Sequence, residues 1–556
     1  MYIEATQICV AFFVDISMRK LPLVIQCHTH MPYVLNQGVW PHGETWLAEV
    51  VFESYLPLLS MLRRLSYGGI RPALTFDISS ILLEQFAHPT FIPMCIDYAK
   101  QQINQADLDH HKFVMNVNAD CNLPMSVYWK EWYEQQLHFL HNECGGSLIH
   151  GFKQSLEDGL IQIIPCALTH AYIPLISSYA SISMQIASAI SIHTSIFNQS
   201  PQSMWIPECG YAPYIQDCEH TFHIEELLRA NGISTIILDQ QLAMKSMIDT
   251  QLPKLPEHLR PLRPVTIGTQ DCSTDVGVLI RHHEACQHVW SETHGYPMHE
   301  SYLDFHKKEF DSSLRYWKVT EQALSAEYKL PYSPMEGKYR SMIDAKHYCE
   351  YLEQLALEFI SSSPKEDGVL CLAFDTELFG HWWFEGPLFL EELIRLIHQS
   401  SVLELQTLSE AMPKIPEVHV AISSGSWGMN GDDSTWKNHK TIECIEKLHD
   451  ADRLLATQAK NNSGDKVRLL DQAVRELALM QSSDWPFLMT KGQAEDYAAG
   501  RFERHEKHFH SLLSTLIAMG DRHILMEEEL ELLHNIQRKD DILNSIGIRN
   551  WIHQSV

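Results

Sequence analysis

The sequence predicts an α/β protein whose core is a parallel sheet or β/α barrel, with further helices after it. Three observations carry that expectation. Short runs rich in Val, Ile and Leu alternate with helical stretches, the alternation from which parallel sheets are built. A polar or charged residue closes nearly every run. The runs end after Pro413 and Pro416, and only helical periodicity follows.

Taken in order, the run 23–27 leads to His28, 73–76 to Asp77, 161–168 to Thr169 and His170, and 204–207 to Glu208. Then 235–238 leads to Asp239, 276–280 to Arg281 and His282, 369–374 to Asp375, and 402–406 to Thr407. Such runs suit strands buried on both faces. Helices are expected over 44–64, 224–231, 341–360 and 387–400. A polar stretch over 85–155, with an aromatic patch at 128–132 and the Gly145-Gly146 break, reads as a helical insertion. The expected organisation is therefore an extension over 1–20, a barrel over 21–84 and 156–415, an inserted helical subdomain over 85–155, and a helical domain over 416–556. In a β/α barrel the C-terminal strand ends form the active-site face. His28, Asp77, His170, Glu208, Asp239 and Asp375 should then converge.

With 556 residues, 45% of them hydrophobic, the chain can bury a large core and fill more than one domain. A net charge of -28 argues against nucleic acid or an anionic membrane as partner. Thirteen cysteines without a C-x-x-C pair read as reduced, buried thiols of a cytoplasmic protein. No apolar run has membrane-spanning length. Residues 1–17 read as an extension or an upstream start.

Two acids stand out. Glu208 closes Trp205-Ile206-Pro207-Glu208, and Asp375 opens a segment that runs on to His381-Trp382-Trp383. Paired carboxyls beside aromatic rings suit glycoside chemistry: one attacks or stabilises the anomeric carbon, the other moves the proton, and rings stack on sugar faces. The competing readings are a rim glutamate in an ion pair and an N-cap aspartate. His28-Thr29-His30 could ligate a metal, but no further cluster of zinc spacing lies near it. Ser426-Trp427 through Trp436 is a Gly-containing loop with two tryptophans and no Walker lysine, which suits a sugar platform better than a phosphate cradle. Ser482-Ser483-Asp484-Trp485 reads the same way.

These motifs, in this order, resemble glycoside hydrolase family 57, and within it the 1,4-α-glucan branching enzymes. His28–Tyr33 with 41–49, 159–162 with 169–172, 205–211, 375–386 and 426–436 correspond to the family's five motifs. The resemblance implies an incomplete seven-stranded (β/α) barrel with a helical insertion and a C-terminal helical domain contributing to the site. It implies Glu208 as nucleophile and Asp375 as general acid/base of a retaining reaction, with the carboxyls roughly 5–5.5 Å apart. It implies His28, His30, Trp46, His170, Asp239, Arg281, Trp290, His381, Trp382, Trp427, Trp436, Asp484 and Trp485 around the sugars. The implied partner is an α-1,4-glucan; no metal or other cofactor is required, and the chain is a monomer or small homo-oligomer.

Four departures accompany the resemblance. Gln162 stands where relatives have Glu, His282 where they have Asp, and Met429-Asn430 where they have an acid and Gly. The segment 244–269, which in branching enzymes carries a lid with a tyrosine, holds no Tyr. A lid that excludes water favours transfer over hydrolysis. α-Amylase, 4-α-glucanotransferase and a glucan-binding protein without catalysis are therefore the alternatives within the fold. A metal-dependent glycan hydrolase or deacetylase built on His28, His30 and Asp77 is the alternative in mechanism.

Overall fold

The computed structural model describes residues 20–552 except 40, 116–120, 218–220, 247–254, 269–274, 292, 307, 309–310, 321–328, 417, 460–461 and 493. The extension over 1–17 and residues 247–254 and 269 of the segment compared with a lid fall outside the described residues.

Seven parallel strands follow one another around a barrel: β1 (Leu21–Thr29), β2 (Leu74–Ile78), β3 (Ile161–Pro165), β4 (Ser203–Met204), β5 (Thr235–Asp239), β6 (Val276–Arg281) and β7 (Leu370–Asp375). The sheet runs β3-β2-β1-β7-β6-β5-β4. Between β4 and β3 only the Cys166–Trp205 bridge and the Trp205 N–H to Pro165 O bond (3.0 Å) complete the ring. The barrel is thus nearly closed, with a seam at β3/β4. Every strand residue but Pro22, Gln162 and Asp375 at the tips is buried. That double-sided burial is why the runs read as continuously apolar rather than alternating. Val24, Ile164, Ile237, Leu279, Cys371 and Ala373 fill the interior together with Trp205 and Cys209, while the alternate strand residues face the outer helices.

The eighth run, 402–406, forms a short strand, Leu403–Leu405, beside the entrance of β1 and outside the ring. Val265–Ile267 pairs antiparallel with β6. Two long helices, Phe91–Met115 and Leu123–Asn142, and most of a shorter one, Leu148–Glu157, lie in the segment expected as an insertion. Part of the expected barrel segment joins them: Trp129 Nε1 donates to Arg315 O (2.6 Å), and Tyr316 to Asp109 (2.8 Å). The helices Ile442–Gln458, Asp465–Met480, Asp484–Lys491, Glu495–Ala518, Glu527–Lys539 and Ile548–Ile552 form the C-terminal region. They dock on the loop after β3, where Thr169 donates to Ala478 O (2.6 Å) and Ser483 N–H to His170 O (3.1 Å).

The helix expected over 44–64 is continuous from Glu44 to Tyr67 but contains a π-turn, Val51–Tyr55. Such turns re-aim side chains. Here it buries Glu53, which pairs with Arg315 (2.6 Å) and His381 (2.7 Å), and Tyr55, which donates to Glu377 (2.5 Å). The loop after β7 packs directly on this turn. At Gly380, φ is +117° and a Cβ would stand 1.8 Å from the Glu53 carbonyl oxygen. Gly380→Ala is expected to destabilise by about 3 kcal/mol or more, read as a lower urea midpoint at unchanged slope.

Candidate active site

Strand register assembles the site. His28 on β1 pairs with Asp77 on β2 and with Asp375 on β7, so the three stand abreast at the top of the barrel. Asp239 and Arg281 are abreast on β5 and β6. β4 is only two residues long, and the chain leaves it through Trp205-Ile206-Pro207 into a tight turn holding Glu208. There Glu208 (φ 62°) and Cys209 (φ 48°) take left-handed conformations, as does His170 (φ 58°) after β3. Each costs about 1–3 kcal/mol for a side chain of this kind. Three such residues in one place are the strain expected where geometry serves chemistry. Trp427 holds the turn by two bonds: its backbone N–H donates to Glu208 O (3.0 Å) and its Nε1–H to Glu208 Oε2 (2.7 Å).

Glu208 and Asp375 keep part of their surface open, as do His30, Trp427 and Asp484. His28, Asp77 and His170 lie buried beneath them. Burial raises Glu208 to about 7, Asp375 adding to the rise while the Trp427 bond and the charge of His28 oppose it. Burial likewise raises Asp375, with Asp77 adding and His28 and Arg281 opposing. Burial favours a neutral His28, yet the charge and hydrogen bond of Asp77 override it and lift the ring to about 9. His170 is held well below the usual histidine range, by burial and then by His30 and His28.

Neither competing reading of the two acids fits. Asp375 precedes a short 3-10 turn but its side chain makes no capping bond. Glu208 has one imidazole nearby, His170 Nδ1 at 3.8 Å, and that ring is held neutral. All six nitrogens of His28, His30 and His170 are engaged by protein groups: Asp77 and His170, Ser79 and Asp484, Ser483 and His28 respectively.

The remaining expected residues divide. Asp239 and Arg281 form a buried pair (2.7 Å), and Arg281 lies 5.4 Å from the centre of the Trp427 ring. They support that tryptophan from behind. Burial opposes charge on Asp239, but His283 and Arg281 keep it below the usual carboxylate range. Trp382 is 42% exposed and packs on Phe305 at 4.7 Å, leaving an open ring. His381 is buried against Glu53 and serves the loop. Trp46 is half-buried beside His42. Trp290, 39% exposed, ends the helix His283–Trp290 and has no ring contact with the Glu208 cluster among the described residues.

Two expectations need correction. Trp436 is 1% exposed and stacked on Tyr172 at 4.4 Å; Trp485 is fully buried under the Arg501 guanidinium, 4.9 Å from its ring centre. Neither offers a face to a sugar, and both brace the loops that carry Trp427 and Asp484.

The departures also find physical reasons. Gln162 sits at the entrance of β3, at the opposite end from the site, and bonds Ser409. His282 caps the next helix as an aspartate would: its Nδ1 accepts from Ala285 N–H (3.1 Å), and burial lowers it to about 4, keeping that nitrogen free to accept. Asn430 has φ 66°, a conformation Asn tolerates in place of Gly. Met429 is exposed.

Sequence reasoning missed Ser483 and Glu377 and left Asp77 as one strand end among several. Ser483 Oγ lies 3.0 Å from Glu208 Oε1. Glu377, raised to about 8 by burial and Asp375, sits behind Asp375 on Tyr55. The double serine before Asp484 was the signal for the first; nothing in local spacing marks the second.

The chain belongs to glycosyl hydrolase family 57, whose family model matches residues 24–423. A second model, described as the C-terminal region of 1,4-alpha-glucan branching enzyme, matches residues 444–551. Among solved structures it is similar to a GH57-type branching enzyme of Pyrococcus horikoshii, at 30% identity and TM-score 0.86 over 96% of this chain and 97% of that one. It is also similar to the alpha-amylase AmyC of Thermotoga maritima, at 25% identity and TM-score 0.81 over 96% and 99%. A 1,4-alpha-glucan branching enzyme of Thermococcus kodakarensis is 29% identical over 96% of this chain and 79% of that protein.

Proposed function

We propose that this chain is a retaining 1,4-α-glucan branching enzyme serving glycogen synthesis. One observation carries the reading: two partly open carboxyls meet at the top of the barrel, Asp375 abreast of buried His28 and Glu208 joined to the same imidazole through Ser483 and His170. Glu208 attacks the anomeric carbon of an α-1,4-linked donor, the C1–O4 bond breaks, and Asp375 gives its proton to the departing oxygen. The β-linked glucosyl-enzyme is then attacked by a 6-hydroxyl whose proton returns to Asp375. Trp427, Asp484, His30 and Trp382 are the groups placed to hold sugar rings. The similarity of residues 444–551 to branching-enzyme C-termini, and the position of Ser483 and Asp484 within the site, support transfer over hydrolysis.

The protein acts in the cytoplasm on this reading. The ten cysteines among the described residues are free thiols, and no helix of the described residues is long and apolar enough to cross a membrane. Incubation with amylose, followed by enzymatic debranching and chain-length analysis, tests the activity. New α-1,6 linkages without a matching rise in reducing ends are expected. Reducing ends alone would make the protein an amylase, and redistributed linear chains a 4-α-glucanotransferase.

A further inference from the structure

We infer that Ser483 is a positioning residue for Glu208, the last link of a hydrogen-bonded chain that begins at Asp77 and keeps Glu208 ionised. The chain is continuous. Asp77 Oδ2 lies 2.7 Å from His28 Nδ1, His28 Nε2 2.9 Å from His170 Nε2, His170 Nδ1 2.8 Å from Ser483 Oγ, and Ser483 Oγ 3.0 Å from Glu208 Oε1. Its first four members are almost fully buried, so water does not offer them other partners. The far oxygen of Asp77 is taken by Gln26 Nε2 (2.7 Å).

Such a chain has two self-consistent proton arrangements. In one, His28 carries both ring protons: Nδ1–H donates to Asp77 and Nε2–H to His170. His170 is neutral and donates from Nδ1 to Ser483, and Ser483 donates to an ionised Glu208. In the other, each proton between His28 and Glu208 has moved one link along. His28 is then neutral, His170 donates back to it, Ser483 donates to His170, and a protonated Glu208 donates to Ser483. The two differ by one proton transferred from His28 to Glu208, with total charge unchanged. Buried Asp77 selects the first, because it stabilises charge on His28. A nucleophile in a dry site is thus kept as a carboxylate by a serine that belongs to the C-terminal helices.

The titratable groups facing Glu208 are consistent with this. Asp375 and Asp484 raise it and His28 lowers it. Cys166, Cys209 and Tyr172 are all pushed up by burial and stay neutral. Arg281 stands behind Trp427 and His30 stacks on His170 at 3.9 Å.

The inference rests on Glu208 being the nucleophile, and the test separates the two. Ser483→Ala removes the donor. The acid limb of the kcat–pH profile should move up by about one pH unit, with kcat roughly tenfold lower below that limb and KM for amylose unchanged. Ser483→Thr, which keeps the hydroxyl, should restore the wild-type limb. The carboxyl carbon signal of Glu208 in 13C-glutamate-labelled protein, assigned through Glu208→Gln, should titrate at correspondingly higher pH in Ser483→Ala. Asp77→Asn, at the other end of the chain, should shift it the same way and decides the matter if Ser483→Ala does not fold. An unshifted carbon titration overturns the inference whatever the rate does. A shifted titration in a protein whose Glu208→Gln variant remains active would preserve the chain and remove the nucleophile.

Discussion

Glu208→Gln is expected to lower kcat by about four orders of magnitude or more, because an amide cannot form the glycosyl-enzyme and the reaction must proceed without a covalent intermediate. The fold should hold. Glutamine has nearly the same shape and its carbonyl oxygen can still accept from Trp427 Nε1, which lies 2.7 Å from Oε2 in the wild type. Circular dichroism and amylose affinity should therefore match wild type while turnover vanishes. Truncation sharpens the test. Glu208→Gly opens room for azide on the face of the sugar opposite the leaving group. With an α-glucosyl fluoride donor, azide should then give the β-glucosyl azide by a single inversion. Recovery of the α-azide, or turnover within tenfold of wild type, would assign the nucleophile elsewhere.

Much of the barrel was legible because its strands are short, β-branched and buried on both faces. For that reason 23–27, 235–238 and 276–280 each mark a strand to within two residues. The position of the candidate site was legible for a related reason: a polar residue ending an apolar run emerges at the strand's carboxyl end. His28, Asp77 and Asp375 converge through register alone. The run 402–406 misleads because local sequence does not distinguish a ring strand from one added at the entrance of β1. The tryptophans show a second limit. An aromatic beside an acid has the same spacing whether its ring meets sugar or packing, and only the cover supplied by Tyr172 and Arg501 shows that Trp436 and Trp485 are internal. Ser483 was invisible as a partner of Glu208 because the two are 275 residues apart. The contact exists only through docking of the helical region on the loop after β3.

Asp375→Asn should separate the two chemical steps. It removes the proton donor for a glucan leaving group and the base for the incoming hydroxyl, so kcat on amylose should fall by about 10^3- to 10^4-fold. An α-glucosyl fluoride needs no acid to leave, and with it the glucosyl-enzyme should form at a near-normal rate and accumulate as a burst. Azide needs no base, and should discharge that intermediate from the face the fluoride vacated, giving the α-glucosyl azide, opposite in configuration to the product of Glu208→Gly. The pH profile adds a sign. The acid limb, which reports ionisation of Glu208, raised by burial to about 7, should remain. The alkaline limb, which reports loss of the proton from Asp375, should disappear. An Asp375→Asn enzyme equally slow on fluoride and amylose, with both limbs in place, would mean that this carboxyl positions substrate without moving its proton.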